Sequence, residues 1–254
     1  MIRPITRRRL LTATAATAGS TLLGGCDALY EGVSMQPLLD FGQLLSLRAH
    51  RLLLAAQPLV REYTLKDISP DFPPNGTEMP SGMGYFTMMV SQFANWRLKV
   101  EGLVRKPLSL SLNEIKALPA RTQVTQHNCD EGWTAIGQWT GVPLAHVLQM
   151  AELAPEVRYI VFHCLDEMAR GAFYYESIDL FDALHPQTIL AYGMNGGELP
   201  VRHGAPLRLR VERHVGYKHA KYITRIEAVA RLDRIGRGKG GFWEDRGYQW
   251  YGGL

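Results

Sequence analysis

The sequence predicts an α+β fold in which mixed β-sheets are interrupted by short helices. Three observations carry this. Five segments alternate apolar and polar residues with the period of a strand: Trp96–Glu101, Thr122–His127, Tyr159–Cys164, Leu207–Val211 and Tyr222–Ala228. The helix signals between them are local and brief. No internal repeat or linker divides the body, so one domain holds all of it. The 254 residues are 46% hydrophobic and 20% charged, enough chain to bury a core without disulfides or a structural metal. No apolar run reaches the ~18 residues that span a bilayer.

Residues 1–25 read as a signal peptide. Arg7, Arg8 and Arg9 precede a weakly apolar stretch from Leu10 to Leu23, and paired arginines predict the twin-arginine export route to the periplasm. Leu22-Leu23-Gly24-Gly25-Cys26 resembles a lipoprotein processing site, which would leave an acylated Cys26 on a membrane face. The four arginines of this leader account for the whole formal charge of +4; the remainder carries 24 basic and 24 acidic residues, which argues against nucleic-acid binding.

Residues 26–64 form an N-terminal helical segment and residues 65–254 the domain. From Gln36 to Gln57, Leu38, Leu39, Phe41, Leu45, Leu52 and Leu53 recur near the 3.6-residue period. Ser69–Gly84, rich in Pro and Gly, predicts a loop. Ser111-Leu-Asn-Glu114 is a capping box, opening a helix that Pro119 stops. Pro143 opens another helix, running to Glu152, and Asn195-Gly196-Gly197 predicts a turn. The stretch from Gly236 to Gly253 mixes glycine with Phe242, Trp243, Tyr248, Trp250 and Tyr251, and predicts a surface wrap held by aromatic anchors.

With Cys26 in the leader's processing site, Cys129 and Cys164 remain, and in an oxidising compartment two cysteines suggest a disulfide. Cys129, however, ends a strand inside the polar run Gln126-His-Asn-Cys-Asp-Glu-Gly-Trp133, the kind of strand-to-turn junction where sites are built. Three chemistries use such a thiol. His127, Cys129, His163 and Cys164 are zinc-compatible types, although His163 and Cys164, adjacent on a strand, leave on opposite faces. A nucleophilic cysteine with a histidine base is the second. The third is a soft thiolate ligand to a metal held mainly by a large cofactor.

Residues 201–221 gather Arg202, Arg208, Arg210, Arg213, Lys218, Lys221 and three histidines against one acid, Glu212. A solvated strand face is the ordinary fate of such a run. Two features favour a phosphate-bearing cofactor instead: the flanking glycines at 204 and 216, where bare N–H groups can approach an anion, and the concentration of positive charge in a neutral body.

Five ordered motifs then converge: Cys129-Asp-Glu-Gly-Trp-Thr-Ala-Ile-Gly-Gln-Trp-Thr-Gly-Val-Pro143, Tyr175-Glu-Ser-Ile-Asp179, Gly193-Met-Asn-Gly196, His203-Gly-Ala-Pro-Leu-Arg208 and Gly216-Tyr-Lys-His-Ala-Lys221. Together, over residues 65–254, they resemble the molybdopterin-dependent oxidoreductases of the sulfite oxidase family, and within it the periplasmic protein-methionine-sulfoxide reductase type. The resemblance implies a sulfite oxidase-type α+β domain binding one Mo-molybdopterin, without the immunoglobulin-like dimerisation domain, hence a monomer. It implies Cys129 as the protein ligand to molybdenum and Arg208 on the pterin phosphate. His219, Ala220 and Lys221 are implied to clasp the same group through backbone and lysine, and Asn75 to contact the cofactor. His203 stands where the reductases have an asparagine, and Cys164 where they have a threonine near the cofactor.

Sulfite oxidases of the family follow the cysteine with basic residues. Here Asp130 and Glu131 follow it, and carboxylates there repel a dianion. The expected reaction is therefore reduction of a neutral S-oxide or N-oxide, including protein methionine sulfoxide, with Glu131 as proton donor; oxidation of sulfite or another small sulfur compound is the rival. Outside enzymes, the rival is an anion-binding lipoprotein with a Cys129–Cys164 disulfide. No C-x-x-C-H haem site and no four-cysteine cluster spacing occurs, so a membrane cytochrome b-type protein is the expected electron partner.

Overall fold

The computed structural model describes residues 36–169 and 171–254; the leader and Cys26 lie outside them. The chain divides into two units, Met1–Ala49 and His50–Leu254. Helix α1 (Gln36–Leu53) begins in the first and ends in the second. It stops short of the predicted Gln57, which adopts φ 54°. No helix among the described residues is long and apolar enough to cross a membrane.

The second unit holds two sheets, the first mixed and the second antiparallel throughout where the sequence predicts mixed sheets, with strands and helices numbered in chain order. The first sheet contains β1 (Arg97–Gly102), β2 (Leu108–Ser111), β5 (Tyr159–Ala169), β6 (Ala172–Asp179) and β10 (Ile223–Val229), in the order β2-β1-β10-β5-β6. Its neighbours are antiparallel except β1 and β10, which run parallel. The second contains β3 (Arg121–Asn128), β4 (Thr134–Pro143), β7 (Ile189–Met194) and β8 (Gly197–Glu198) in that order, with β9 (Arg208–Arg210) paired to β7. Short helices α2 (Met83–Val90), α3 (Leu112–Lys116), α4 (Leu144–Ala151) and α5 (Leu180–Ala183) join them.

The local signals work as their chemistry requires. Ser111 Oγ accepts the Glu114 N–H at 3.2 Å, while the Glu114 carboxylate accepts the Ser111 N–H at 2.7 Å, completing the capping box of α3. Pro143 caps α4. Asn195 and Gly196, both at positive φ, form the two-residue turn of the β7–β8 hairpin. Helix α2 departs from expectation, starting at Met83 inside the predicted loop. Its apolar sequence shows no helical stripe against a polar face.

Two cores flank the second sheet. The larger lies on the first sheet and takes Leu98, Val100, Ile160, Phe162, Ile223 and Ile226, together with α4 and Leu207, Leu209 and Val211. The smaller gathers Phe72, Trp139, Ile189, Ala191 and Met194. Strand β7 feeds both, Leu190 going to the larger and Ile189 and Ala191 to the smaller. Strand β9 alternates the same way. Leu209 enters the large core, while Arg208 and Arg210 lie on the opposite face over the Trp139 ring, their guanidinium carbons 4.9 and 4.4 Å from its centroid.

Candidate active site

Strand β3 delivers Cys129 into a tight turn that returns as β4. The Cys129 N–H donates to Trp133 O at 2.9 Å and the Gly132 N–H to Cys129 O at 3.2 Å. Gly216 passes directly over the thiol. A β-carbon there would lie 3.1 Å from Cys129 Sγ and 3.0 Å from Asp130 Oδ1, so a side chain would press on the sulfur. Asn75 reaches the same backbone, its Nδ2 donating to Gly216 O at 3.5 Å. Glu131 accepts from Gly76 N–H at 3.2 Å and from Trp133 Nε1 at 3.1 Å, one bond to each carboxylate oxygen, the capping arrangement.

The basic segment is buried, not a solvated face: Arg208, Arg210, Arg213, Lys218 and Lys221 are each 5% exposed or less. Three of these cations have carboxylate partners. Arg210 meets Glu212 at 2.5 Å, Lys218 meets Glu176 at 2.6 Å and Glu244 at 2.8 Å, and Arg213 meets Asp182 at 3.7 Å. Arg208 and Lys221 have none among the described residues. Arg208 Nη1 donates to His203 O at 2.9 Å, but its Nε and Nη2 donate to nothing. Lys221 Nζ donates to the carbonyls of Thr77 and Arg202. Burial, with Arg210 alongside, lowers Arg208 to about 9. Burial, with Arg208 alongside, lowers Lys221 to about 7. No backbone or side-chain acceptor among the described residues receives the buried N–H of Ala220 or Lys221.

Three histidines surround these cations and are held neutral. Burial and the neighbouring Arg208 lower His203 to about 4; burial and Arg210 lower His127 and His219, whose rings sit 4.8 Å apart. His203 Nδ1, His127 Nε2 and Asn75 Oδ1 are buried without partners. Natural proteins rarely leave so many buried polar atoms unpaired in one place. The free guanidinium nitrogens and the two unaccepted N–H groups of Ala220 and Lys221 fit a phosphate, and the remaining orphans fit the heteroatoms of a pterin.

The Cys129 thiol is pushed up to about 12, chiefly by burial; a backbone hydrogen bond from Glu131 works the other way and the charges of Asp130 and Glu131 add to the rise. An activated nucleophile needs the opposite shift. Ligation to a metal tolerates it, because the ion displaces the proton. The zinc reading finds no support: among the described residues no cluster of three or more His, Cys, Asp or Glu is placed to hold a metal, and His163 Nε2 lies 2.9 Å from Glu227. The disulfide expected of an anion-binding lipoprotein is not formed: Cys129 and Cys164 are both free thiols. Cys164 is buried at the edge of the large core.

A cavity of about 240 Å³ brings together Asn75, Glu131, His219 and Lys221 from the predicted set, with Gly76, Thr77, Asp130, Asp166, Met168, Tyr174, Tyr217, Trp243 and Tyr248. A larger cleft of about 610 Å³, reaching from Gln92 to Pro206, carries none of the predicted residues. Sequence reasoning missed Asp166. Two extra residues in β5 between the His163–Tyr175 and Glu167–Phe173 pairs make a bulge, which aims Asp166 into the cavity. Its Oδ1 has no partner, and burial raises it to about 7 against the pull of its own backbone N–H and Lys221.

Residues 86–234 match the family described as oxidoreductase molybdopterin binding domain. The chain is 42% identical over 160 residues, 63% of its length, to a protein of Azospira oryzae named as a protein-methionine-sulfoxide reductase subunit, YedZ1. It is 37% identical over 147 residues, 54% of its length, to the protein-methionine-sulfoxide reductase catalytic subunit MsrP of Xanthomonas campestris. These matches span 56% and 46% of those relatives, so the chain covers about half their length. Among solved structures, the sulfane dehydrogenase SoxCD of Paracoccus pantotrophus shares the fold, with TM-score 0.50 and 23% identity over 54% of this chain and 39% of that one.

Proposed function

Because the chain belongs to the oxidoreductase molybdopterin-binding domain family, we propose that it is a molybdenum-dependent oxidoreductase that reduces an S-oxide or N-oxide by oxygen-atom transfer. One observation carries the reading: Arg208 and Lys221, buried with no carboxylate in ion-pair contact, lie among orphaned buried polar atoms and close to the Cys129 turn, Arg208 near the thiol and Lys221 near Glu131. Cys129 Sγ would hold the metal; Arg208 and the 219–221 backbone would hold the phosphate, with Asn75, His203 and Cys164 as further contacts. When bound, the cofactor supplies a two-electron centre that accepts an oxygen atom.

The chain's own residues do the rest. Asp130 and Glu131 beside the thiol disfavour entry of a sulfite dianion. A neutral oxide meets no such penalty. Glu131, with both oxygens accepting, is fixed as an acceptor facing Gly76 and Trp133, so its role as donor requires release of one of these bonds. Asp166 Oδ1, unpaired and raised to about 7, can hold a proton near neutrality where departing oxygen needs one. The similarity to proteins named as methionine-sulfoxide reductase subunits supports protein-bound methionine sulfoxide as a substrate. Export by the twin-arginine route, anchoring at Cys26 and electron supply from a membrane cytochrome b-type partner complete the proposal; the Arg7–Arg9 run, the small residues before Cys26 and the lack of haem and cluster motifs support them.

Metal analysis of the purified protein beside Cys129→Ser tests the reading. Near-stoichiometric molybdenum in the wild type, with a changed Mo(V) resonance in the variant, is expected. Reduced methyl viologen should be oxidised by methionine sulfoxide or trimethylamine N-oxide, whereas ferricyanide reduction with sulfite alone would reverse the direction assigned.

A further inference from the structure

The family match ends at residue 234, yet part of the cavity wall comes from beyond it. Trp243 and Tyr248 stack with ring centroids 5.4 Å apart at 28°, and Tyr217 meets Tyr248 edge-on at 5.3 Å. Tyr174 and Met168 continue the same lining. This wall is fastened from behind. Lys218, next to Tyr217, donates to Glu176 at 2.6 Å and to Glu244, next to Trp243, at 2.8 Å; all three side chains are 0–1% exposed. The Tyr217 hydroxyl donates to Gln249 O at 2.7 Å, one residue past Tyr248. The lining of the same cavity also carries polar groups, those of Asn75, Glu131, Asp166 and Lys221.

We infer that Trp243, Tyr248 and Tyr217 form a substrate-selecting wall that grips the apolar carbons flanking a neutral S-oxide, with the oxide turned toward the polar groups. The inference rests on the reductase reading above and adds the residues that choose the substrate. Aromatic faces remove methyl and methylene groups from water, and rings favour contact with sulfur. The same faces carry negative potential and repel a dianion. The buried triad makes the wall rigid rather than a loose strap.

Binding and turnover of N-acetyl-methionine sulfoxide amide and dimethyl sulfoxide by the cofactor-loaded protein test this, with Trp243→Ala, Tyr248→Ala and Trp243→Phe as variants. Calorimetry on the oxidised protein without electron donor gives Kd without turnover. Each alanine variant should weaken Kd and raise KM for the blocked methionine sulfoxide by about tenfold. Dimethyl sulfoxide, with fewer carbons to grip, should shift less than threefold in KM, kcat should hold within twofold, and Trp243→Phe should restore most of the binding. Equal losses on both substrates alongside a lowered Tm would reduce the wall to a structural element and overturn the inference. So would unchanged Kd in both alanine variants of a wild type that reduces methionine sulfoxide, which leaves the reductase reading standing. A wild type that oxidises sulfite and neither binds nor reduces the sulfoxide removes both.

Discussion

Lys218 and Arg208 are both fully buried cations from one 21-residue basic segment, and they are treated in opposite ways. Lys218 sits between two carboxylates under the rings of Tyr217 and Trp250, and its charge is held well above its ordinary range by Glu176 and Glu244 against burial. Arg208 has a carbonyl on one nitrogen and nothing on two others. A buried charge that is satisfied by its own chain is architecture. One left open, beside other open groups, marks where a ligand belongs.

The comparison breaks first at Lys218. Lys218→Met leaves Glu176 and Glu244 facing each other in the interior and should cost about 3–5 kcal/mol in urea unfolding; unchanged stability would show that the triad is no support. Arg208→Met should do the reverse, stabilising cofactor-free protein by about 1–3 kcal/mol while molybdenum content falls at least tenfold. Retained metal in that variant would return Arg208 to the architectural class. Lys221→Met sharpens the contrast through pH. Its folded value of about 7 lies below the unfolded value of about 10.4, so the folded state binds fewer protons between them and stability rises with pH there. The gain of Lys221→Met over the wild type, both cofactor-free, should be greatest below pH 7, up to about 4 kcal/mol, and shrink toward pH 10. The smallest effect falls between the two groups. Gly216→Ala presses on Cys129 Sγ and should cost about 1 kcal/mol, keep its molybdenum and shift the Mo(V) resonance.

Legibility followed burial. The strands read from alternation, β1, β3, β5, β9 and β10, show one face apolar and one polar in the sequence. Strand β7 did not, because Ile189-Leu190-Ala191 is buried on both sides and loses its period. Strand β4 was hidden by its glycines at 137 and 141, which weaken any propensity signal. In the site, Cys129, Arg208 and Lys221 stood out as charge or sulfur in a marked setting. Asp166 did not, since only the bulge in β5 turns it into the cavity, and bulges leave no signature in a single sequence. The aromatic run near residue 243 was visible, but as surface anchors. That Trp243 and Tyr248 face the cavity depends on Glu244 finding Lys218, a contact no local pattern encodes.

The triad also ties the far end of the chain to its middle. Glu176 precedes Lys218 by 42 residues and Glu244 follows it by 26. Along the chain the ammonium therefore has one counter-charge before it and one after it, and the aromatic side of the cavity is locked only by the second. Every strand of both sheets and the Cys129 turn precede Glu244 in the sequence. A chain cut before Glu244 should therefore leave the deep pocket's strands in place and the aromatic side unlocked, giving a bulky group a wider way in.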